Sequence, residues 1–352
     1  MPNWTEPMTQ TYEYYTVNPN TWKDVKKLNM VTASTIIRDS GTDTLGSASF
    51  DMTEIIGECY IRAYLVVVQN GITEKFPLGT FLAQTPASSF NGRVSKASMD
   101  AYTPLIELKE NPLPIGYSVL KDENIMDRAY QIVNDYTRAP VVKAVSDKKI
   151  YFDFVASTED NGVSFVRDFI SYADHELGLD EMGRILFMPK QDLASMQPVW
   201  TFNDDNSSIL HAEITTNHDI FGIPNVVEVV YSGPHDTYNI VVTNDDPNSP
   251  VSTVNRGRVI KYRDSNPSLV GEATKNQVQE YAEKLLKQLS TVEFSVSYIH
   301  GYCPVRLGDC VRINYERAGL HDIKAKVVSQ TINCKTGCSV NEKAIFTKSL
   351  WG

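Results

Sequence analysis

Basic residues are scarce in this chain of 352 residues, in which 33 lysines and arginines face 43 aspartates and glutamates, a formal net charge of −10. Such a balance gives no electrostatic footprint for nucleic-acid binding. Long apolar runs are absent too, because the longest, such as residues 64–68, are far too short to cross a bilayer. The first ten residues, MPNWTEPMTQ, have neither the basic nor the apolar part of a secretion signal. We therefore expect synthesis in a cytoplasm and no membrane-spanning segment.

Cysteine is rare, and its count of five is odd, which is typical of a reducing compartment. Four of the thiols come late in the chain, at Cys303, Cys310, Cys334 and Cys338. Their spacing does not match a zinc knuckle or ribbon, and Cys310 lies in an alternating strand pattern. We expect these residues to be buried free thiols, with a zinc or iron–sulfur site as the alternative.

Motifs of catalysis and phosphate binding are also missing. The sequence contains no HExxH, no GxSxG, no P-loop and no GxGxxG. No two of its six histidines are four residues apart: His175, His211, His218, His235, His300 and His321. A triad can form in space without a local motif, and so can a carboxylate pair for glycoside cleavage. Nothing local supports either, so we predict no enzyme, no catalytic residue, no cofactor and no metal ligand.

Two acidic loops, residues 203–207 and 244–249, combine carboxylates and amides that could hold calcium. Neither has the residue order of an EF-hand. Asx turns, in which an Asn or Asp side chain bonds to the backbone two residues on, account for both loops without an ion.

What the sequence does contain is mostly β pattern. Asn70 and Gly71 form a two-residue hairpin signal between apolar runs, and residues 292–298 alternate cleanly. We predict an α+β, mainly β fold with four segments. These are an N-terminal arm (1–28), a first antiparallel β-barrel (29–111), an inserted α+β domain (112–190), and a second β-barrel region (191–352) with one helix at 274–289.

The predicted insert is the clearest unit in the chain. Helical spacing of apolar residues predicts a helix that Asn161 caps and Gly178 ends. These residues are Val163, Val166, Phe169, Ile170, Ala173 and Leu177. A turn at residues 180–183 then leads into a strand at 184–188. An earlier helix is predicted to begin with Asp122 as its cap.

The N-terminal arm is rich in aromatic residues, which usually dock on the body of a protein or on a neighbouring subunit. They are Trp4, Tyr12, Tyr14, Tyr15 and Trp22.

Four stretches together resemble the hub proteins of bacteriophage tails, the baseplate hubs of contractile tails and their counterparts in long non-contractile tails. The stretches are TASTIIRDSGTDTLGSASFDM (residues 32–52), YIRAYLVVVQNGITEKFPLGTFLAQTP (60–86), GLDEMGRILFMP (178–189) and VRLGDCVRI (305–313). The resemblance covers most of residues 30–350 and is one of pattern and order.

The resemblance implies tail-tube-like β-barrel domains, two per chain, with an α/β domain attached. It implies a homotrimer whose six barrels continue a six-fold tail tube. Its partners would be a tail-tube or distal tail protein above, a tip, spike or fibre protein below, and a tape-measure protein. DNA would pass through the ring without specific binding, in a virion tail assembled in the host cytoplasm.

Two other functions stay open at this point. A receptor- or carbohydrate-binding tail protein would present exposed aromatic residues, for which Trp4, Trp22, Trp200 and Trp351 are the candidates. A peptidoglycan hydrolase on a β scaffold would show turnover of peptidoglycan.

Overall fold

The structure is a computed structural model, and it describes all residues except 91, 93–94, 206–207, 218, 234, 266, 268, 270–272 and 351–352. The side chains of residues 85–88 and 95 also lie outside the description. The chain divides into two compact units. Unit 1 contains residues 1–214 and 297–344, and unit 2 contains residues 215–296 and 345–352.

Seven strands come first in unit 1: β1 (Thr9–Val17), β2 (Asp24–Lys27), β3 (Val31–Asp39), β4 (Gly46–Met52), β5 (Cys59–Gln69), β6 (Ile72–Phe90) and β7 (Ser95–Tyr102). A helical region follows: α1 (Leu105–Glu110), β8 (Ser118–Val119), α2 (Ile125–Tyr136), β9 (Phe154–Val155), α3 (Gly162–Ser171), β10 (His175–Leu179) and β11 (Ile185–Pro189).

The remaining elements are β12 (Trp200–Asn203), β13 (Leu210–Asn217), β14 (Val226–Ser232), β15 (Thr237–Thr243), α4 (Thr253–Arg256), β16 (Lys261–Asp264), α5 (Lys275–Leu289), β17 (Thr291–Gly301), β18 (Cys310–Tyr315), β19 (Leu320–Cys334) and β20 (Ser339–Ser349). The boundary between the units falls within β13, β17 and β20. No helix in the described ranges combines the length and the apolar character that a bilayer crossing requires.

The prediction of a mainly β fold with antiparallel sheets is confirmed. In unit 1 the strands follow the order β19-β3-β4-β7-β6-β5-β1-β2, and neighbours in this order are antiparallel. Strand β3 therefore pairs with β19, which lies nearly three hundred residues later in the chain. The four predicted domain segments stay a prediction.

The N-terminal segment is hydrogen-bonded into this sheet. Strand β1 pairs with β5 along its whole length, from Thr9 opposite Val68 to Val17 opposite Tyr60. Its aromatic side chains also reach distant parts of the unit, since the Tyr12 hydroxyl donates to the carbonyl oxygen of Lys335 at 2.8 Å. The segment predicted as an arm thus contributes two strands as well as aromatic anchors.

Several local predictions are confirmed at the backbone. Asn70 and Gly71 have φ values of 51° and 78°, as a two-residue hairpin turn between β5 and β6 requires. Helix α5 begins after Thr274, whose side chain accepts from the N–H of Gln277 in a capping box. Asn161 caps α3 and accepts from the N–H groups of Val163 and Ser164, both at 2.9 Å.

The predicted end of α3 at Gly178 is wrong. The helix ends at Ser171, Asp174 turns the chain with φ 55°, and Gly178 lies in β10 opposite Leu186 of β11. A Cβ on Gly178 would lie 2.6 Å from the Met188 side chain, so the residue serves close packing across this hairpin. Leu177 is buried in the same core as α3, which is why its spacing fitted the helical pattern.

The cap predicted for the earlier helix is also wrong. Asn124 caps α2 by accepting from the N–H of Asp127 at 3.0 Å, while Asp122 lies two residues before it with φ 70°. The preceding helix, α1, was not predicted, because six residues are too few to show a helical period.

The helical region has its own apolar core within unit 1. The buried residues of α1, α2 and α3 pack together, and Val166 and Phe169 are both fully buried. Unit 2 has a second core, in which β14 and β15 pack on α5 through residues such as Val229, Ile240 and Val278.

Candidate functional site

The late cysteines are buried free thiols, as predicted. Burial raises the pKa of the Cys334 thiol to about 12 and that of the Cys338 thiol to about 11. Metal binding and nucleophilic attack both need the thiolate, which these environments disfavour. Within the part of the chain that the structure describes, no group of three or more His, Cys, Asp or Glu side chains is placed to hold a metal ion.

The second acidic loop, residues 244–249, uses its own side chains to turn the chain. The N–H of Asp246 donates to Asn244 Oδ1 at 3.2 Å, and that of Asn248 donates to Asp246 Oδ1 at 2.8 Å. This is the Asx-turn chemistry predicted for it. In the first loop, Asp204 accepts from Arg317 Nε at 2.7 Å, and this bond lowers the pKa of Asp204. Residues 206 and 207 of that loop lie outside the described residues.

One of the six histidines lies in a buried polar cluster of unit 1, which we call the His300 cluster: Tyr298, His300, Gln330 and Glu342. Glu342 Oε1 accepts from the Tyr298 hydroxyl, and Glu342 Oε2 accepts from Gln330 Nε2 at 2.5 Å. His300 Nε2 lies 3.4 Å from the same Oε2. Burial first and the Glu342 charge second raise the pKa of Tyr298 well above its usual value.

The His300 cluster has the residue types of a Cys–His catalytic pair, since Cys303 Sγ lies 3.8 Å from His300 Nδ1. Nδ1, however, also lies 2.7 Å from the carbonyl oxygen of Gly301, and a carbonyl can only accept. Nδ1 therefore carries a proton and cannot take one from the thiol. The cluster joins β17, β19 and β20. Because the side chains of His300 and Glu342 are fully buried, it is closed to substrate.

The His300 cluster was not predicted from the sequence, although a signal for it exists. Alternate residues of β17 lie on the same face of the strand, and four of them are buried: Phe294, Val296, Tyr298 and His300. A histidine that extends an inward-facing series predicts a buried polar partner, but only the fold identifies Glu342. The other histidines lie elsewhere, and His218 is outside the described residues.

A second polar cluster fastens the helical region to the first sheet, and we call it the Arg62 joint: Arg62, Asp24, Thr80, Trp22 and Met182. The Arg62 side chain is 1% exposed. Its Nη1 donates to Asp24 Oδ1 at 2.7 Å, its Nε to Thr80 Oγ1 at 2.8 Å, and its Nη2 to the Met182 carbonyl at 3.1 Å. One guanidinium thus ties β2, β5, β6 and the β10–β11 turn together.

The turn at residues 180–183 fits closely into this joint. The Trp22 indole N–H donates to the Met182 carbonyl at 2.7 Å. Gly183 has φ 75°, and a Cβ there would lie 2.7 Å from Thr80 Cβ. On its other side the turn is held by Glu181, which lies 2.7 Å from Arg306 Nε. The position of the helical region on the sheet is therefore fixed by side chains from several parts of unit 1.

The described tryptophans do not form an exposed aromatic platform. Trp4 is 7% exposed and packs edge-on against Phe76 and Tyr302, with ring centroids 5.1 and 5.2 Å away. Trp22 is in the Arg62 joint, and Trp200 packs beside Phe202. Trp351 lies outside the described residues. The strongly exposed aromatic residues are others, among them Tyr151 and Phe221.

Comparison with known proteins finds matches among solved structures, while no family model and no curated protein matches the chain. The tail protein from Neisseria meningitidis MC58 matches with a TM-score of 0.62 at 13% identity, over 97% of this chain and 98% of that one. The prophage MuSo2 43 kDa tail protein from Shewanella oneidensis matches with a TM-score of 0.62 at 11% identity, over 96% and 98%.

A chain of the Francisella PdpA–VgrG complex also matches, with a TM-score of 0.55 at 10% identity. The match covers 99% of this chain and 54% of that one. At such low identities these matches show a shared fold, and this fold extends over nearly the whole chain.

Proposed function

We propose that this chain is a structural hub protein of a phage tail. Three copies would form a ring that joins the tail tube to the tip or spike and lets DNA pass during ejection. The observation that carries the proposal is the agreement in fold with two tail proteins. In each comparison it extends over nearly the full length of this chain and of the tail protein. A fold shared from end to end leaves little of the chain for a separate domain of different function.

The Arg62 joint supports a role in which the protein transmits force or keeps the parts of the hub in position. A hub must keep its parts aligned while a long polymer passes through it. A buried guanidinium that bonds to three separate segments holds those segments in one geometry, because each bond leaves an unpaired buried group if it breaks.

The charge of the chain supports a DNA passage. At −10 per chain, a ring would repel phosphate, and at physiological salt this repulsion extends about 8 Å from the wall. DNA in the centre of such a ring would be kept off the wall without being held. We propose no catalytic residue, cofactor or metal ion for this role.

A second candidate function is a place in a VgrG-containing complex, which the match over 99% of this chain favours. It differs from the first in the particle that should contain the protein. We do not propose a carbohydrate-binding role, because the described tryptophans are packed against the protein's own residues.

The test is a reconstruction by electron cryomicroscopy of particles purified from cells that produce a tagged copy. We expect three copies in a ring at the distal end of a tail tube, with an acidic lumen. Untagged particles serve as the control for the position of the tag. One or six copies per ring, or a basic lumen, would refute the hub proposal, and a VgrG-containing particle without a phage tail would favour the second candidate.

A further inference from the structure

The hydrogen bonds of the His300 cluster fix which of its atoms donate and which accept. The Tyr298 hydroxyl donates to Glu342 Oε1, and Gln330 Nε2 donates to Glu342 Oε2 at 2.5 Å. The Gln330 amide has one possible orientation, because its Nε2 also donates to a backbone carbonyl at 3.1 Å and its Oε1 accepts from Arg38 Nη1 at 3.0 Å. The Glu342 carboxylate is therefore an acceptor toward both neighbours.

The contact between His300 and Glu342 brings two acceptor atoms together. His300 Nδ1 carries a proton and donates it to the Gly301 carbonyl at 2.7 Å. In a neutral imidazole the other nitrogen, Nε2, then has a lone pair and no proton. Because Nε2 lies 3.4 Å from Glu342 Oε2, a neutral His300 beside an ionised Glu342 would place two lone pairs against each other. Both side chains are fully buried, so water cannot separate them.

The neighbouring titratable groups do not supply a proton for this contact. Burial first, and the charge of Glu342 in addition, raises the pKa of Tyr298 and of Cys303, so both stay neutral. The single hydroxyl proton of Tyr298 is already donated to Oε1. Burial also raises the pKa of Asp309, whose carboxylate accepts from the N–H of Arg306 at 2.8 Å.

The remaining surroundings are uncharged or are screened from the contact by Gln330. Strand β12 contributes the ring of Phe202, whose centroid lies 4.8 Å from that of His300. On the far side of Gln330, the guanidinium of Arg38 lies 3.9 Å from Glu181 and so already faces a carboxylate. The gap between Nε2 and Oε2 is therefore the place in the cluster where one more proton is required.

We propose that one proton held between His300 Nε2 and Glu342 Oε2 makes the cluster a pH-sensitive lock between β17 and β20. The proton belongs to Nε2, because imidazole is a stronger base than a carboxylate. His300 is then an imidazolium, Glu342 is a carboxylate, and the net charge of the pair is zero. Without this proton the protein would bury a negative charge beside a lone pair, which is costly in an apolar interior. The lock is a property of the fold and holds whether or not the chain is a tail hub.

The direction of the pH dependence follows from the number of protons bound. Above about pH 6.5 the imidazole of an unfolded chain is neutral and its carboxylates are ionised, so unfolding releases the proton of the lock. Stability therefore falls as the pH rises above this value, and the unfolding constant increases up to about tenfold per pH unit. Between about pH 4.3 and about pH 6.5 the folded and unfolded forms hold the same number of protons at these two residues, and the lock adds no pH dependence.

NMR of the full-length protein labelled with ¹⁵N in histidine tests the proton directly. At about pH 8 both ring nitrogens of His300 should be protonated in the folded protein, while the imidazoles of the same protein in urea should be neutral. Single His→Gln variants at the other histidines assign the His300 signal by exclusion, so the result does not depend on a change within the cluster. An unprotonated Nε2 in the folded protein at this pH would overturn the proposal.

Urea unfolding as a function of pH tests the lock through stability. Glutamine in His300→Gln retains an N–H donor toward Glu342 but does not titrate. Between about pH 7 and about pH 8 the unfolding constant of wild type should rise up to about tenfold more than that of His300→Gln. His321→Gln, at an exposed position of β19, is the matched control and should follow wild type. Equal pH dependence in wild type and His300→Gln would overturn the lock.

Discussion

Replacing Arg62 with methionine should loosen the attachment of the helical region to the first sheet. Methionine retains most of the apolar stem but removes the donors that reach Asp24, Thr80 and the Met182 carbonyl. Removing one partner of a buried ion pair costs about 3–5 kcal/mol. The Asp24 side chain is 28% exposed and can be partly rehydrated, so we expect a loss of about 2–4 kcal/mol.

Hydrogen exchange followed by mass spectrometry measures this loss where it occurs. Peptides that cover β2 and the turn at residues 180–183 should exchange about thirty- to a thousandfold faster in Arg62→Met than in wild type, as a loss of 2–4 kcal/mol requires. Peptides from unit 2 should be unchanged, and they serve as the internal reference. Urea unfolding of the full-length protein gives an independent measure of the same loss.

A matched variant separates the joint from arginine in general. Arg317 also pairs with an aspartate, Asp204, but its side chain is 70% exposed, and ion pairs at the surface contribute little. Arg317→Met should therefore exchange and unfold like wild type. If Arg62→Met behaved like Arg317→Met, the reasoning that the guanidinium holds the helical region in place would be refuted.

Four further predictions concern unit 1 and the thiols. Gly183→Ala should lower the free energy of unfolding by about 1–3 kcal/mol, because φ is positive at this position and a Cβ there would contact Thr80. Thermal unfolding should show a larger loss than for Gly116→Ala, where φ is 78° and no atom lies within 4 Å. Val166→Asp places an unpaired charge in the core of the helical region, so it should prevent folding or lower the free energy of unfolding by more than about 4 kcal/mol. Asp168→Ala, on the exposed face of α3, should fold normally in circular dichroism. A stable Val166→Asp protein would contradict the phase of α3. Hydrogen bonds from lysines lower the pKa of Glu13 from 4.5 to about 2. The contribution of Glu13 to stability is therefore present above about pH 4.5 and is lost as the pH falls towards 2. Glu13→Gln should flatten this part of the curve of unfolding free energy against pH. A thiol reagent should modify all five cysteines only after unfolding. Elemental analysis should find less than one metal ion per chain. One tightly held zinc per chain would contradict the prediction that no metal is bound.

Local signals in the sequence predicted local structure well. The Asn70–Gly71 turn and the cap at Asn161 each depend on a few neighbouring residues, and the structure has both. The end of α3 could not be read in this way. Leu177 faces the same core whether it continues a helix or begins a strand, so apolar spacing alone does not separate the two.

The two buried polar clusters of unit 1 could not be predicted, because they join residues far apart in the chain. The Arg62 joint brings Asp24, Arg62 and Met182 together, and the His300 cluster brings a strand end next to Glu342. An arginine within an apolar strand pattern indicates that something must pair with it, but the partner depends on the topology of the sheet.

The pairing of β3 with β19 has a consequence for how the chain is made. At a synthesis rate of about 5–20 residues per second, β19 leaves the ribosome roughly 15–60 s after β3. Throughout this time the N–H and carbonyl groups on one side of β3, which later face residues Ser329 to Cys334, have no strand to bond to. An unpaired edge of this kind is a template for aggregation. We therefore expect truncation before β19 to yield insoluble protein.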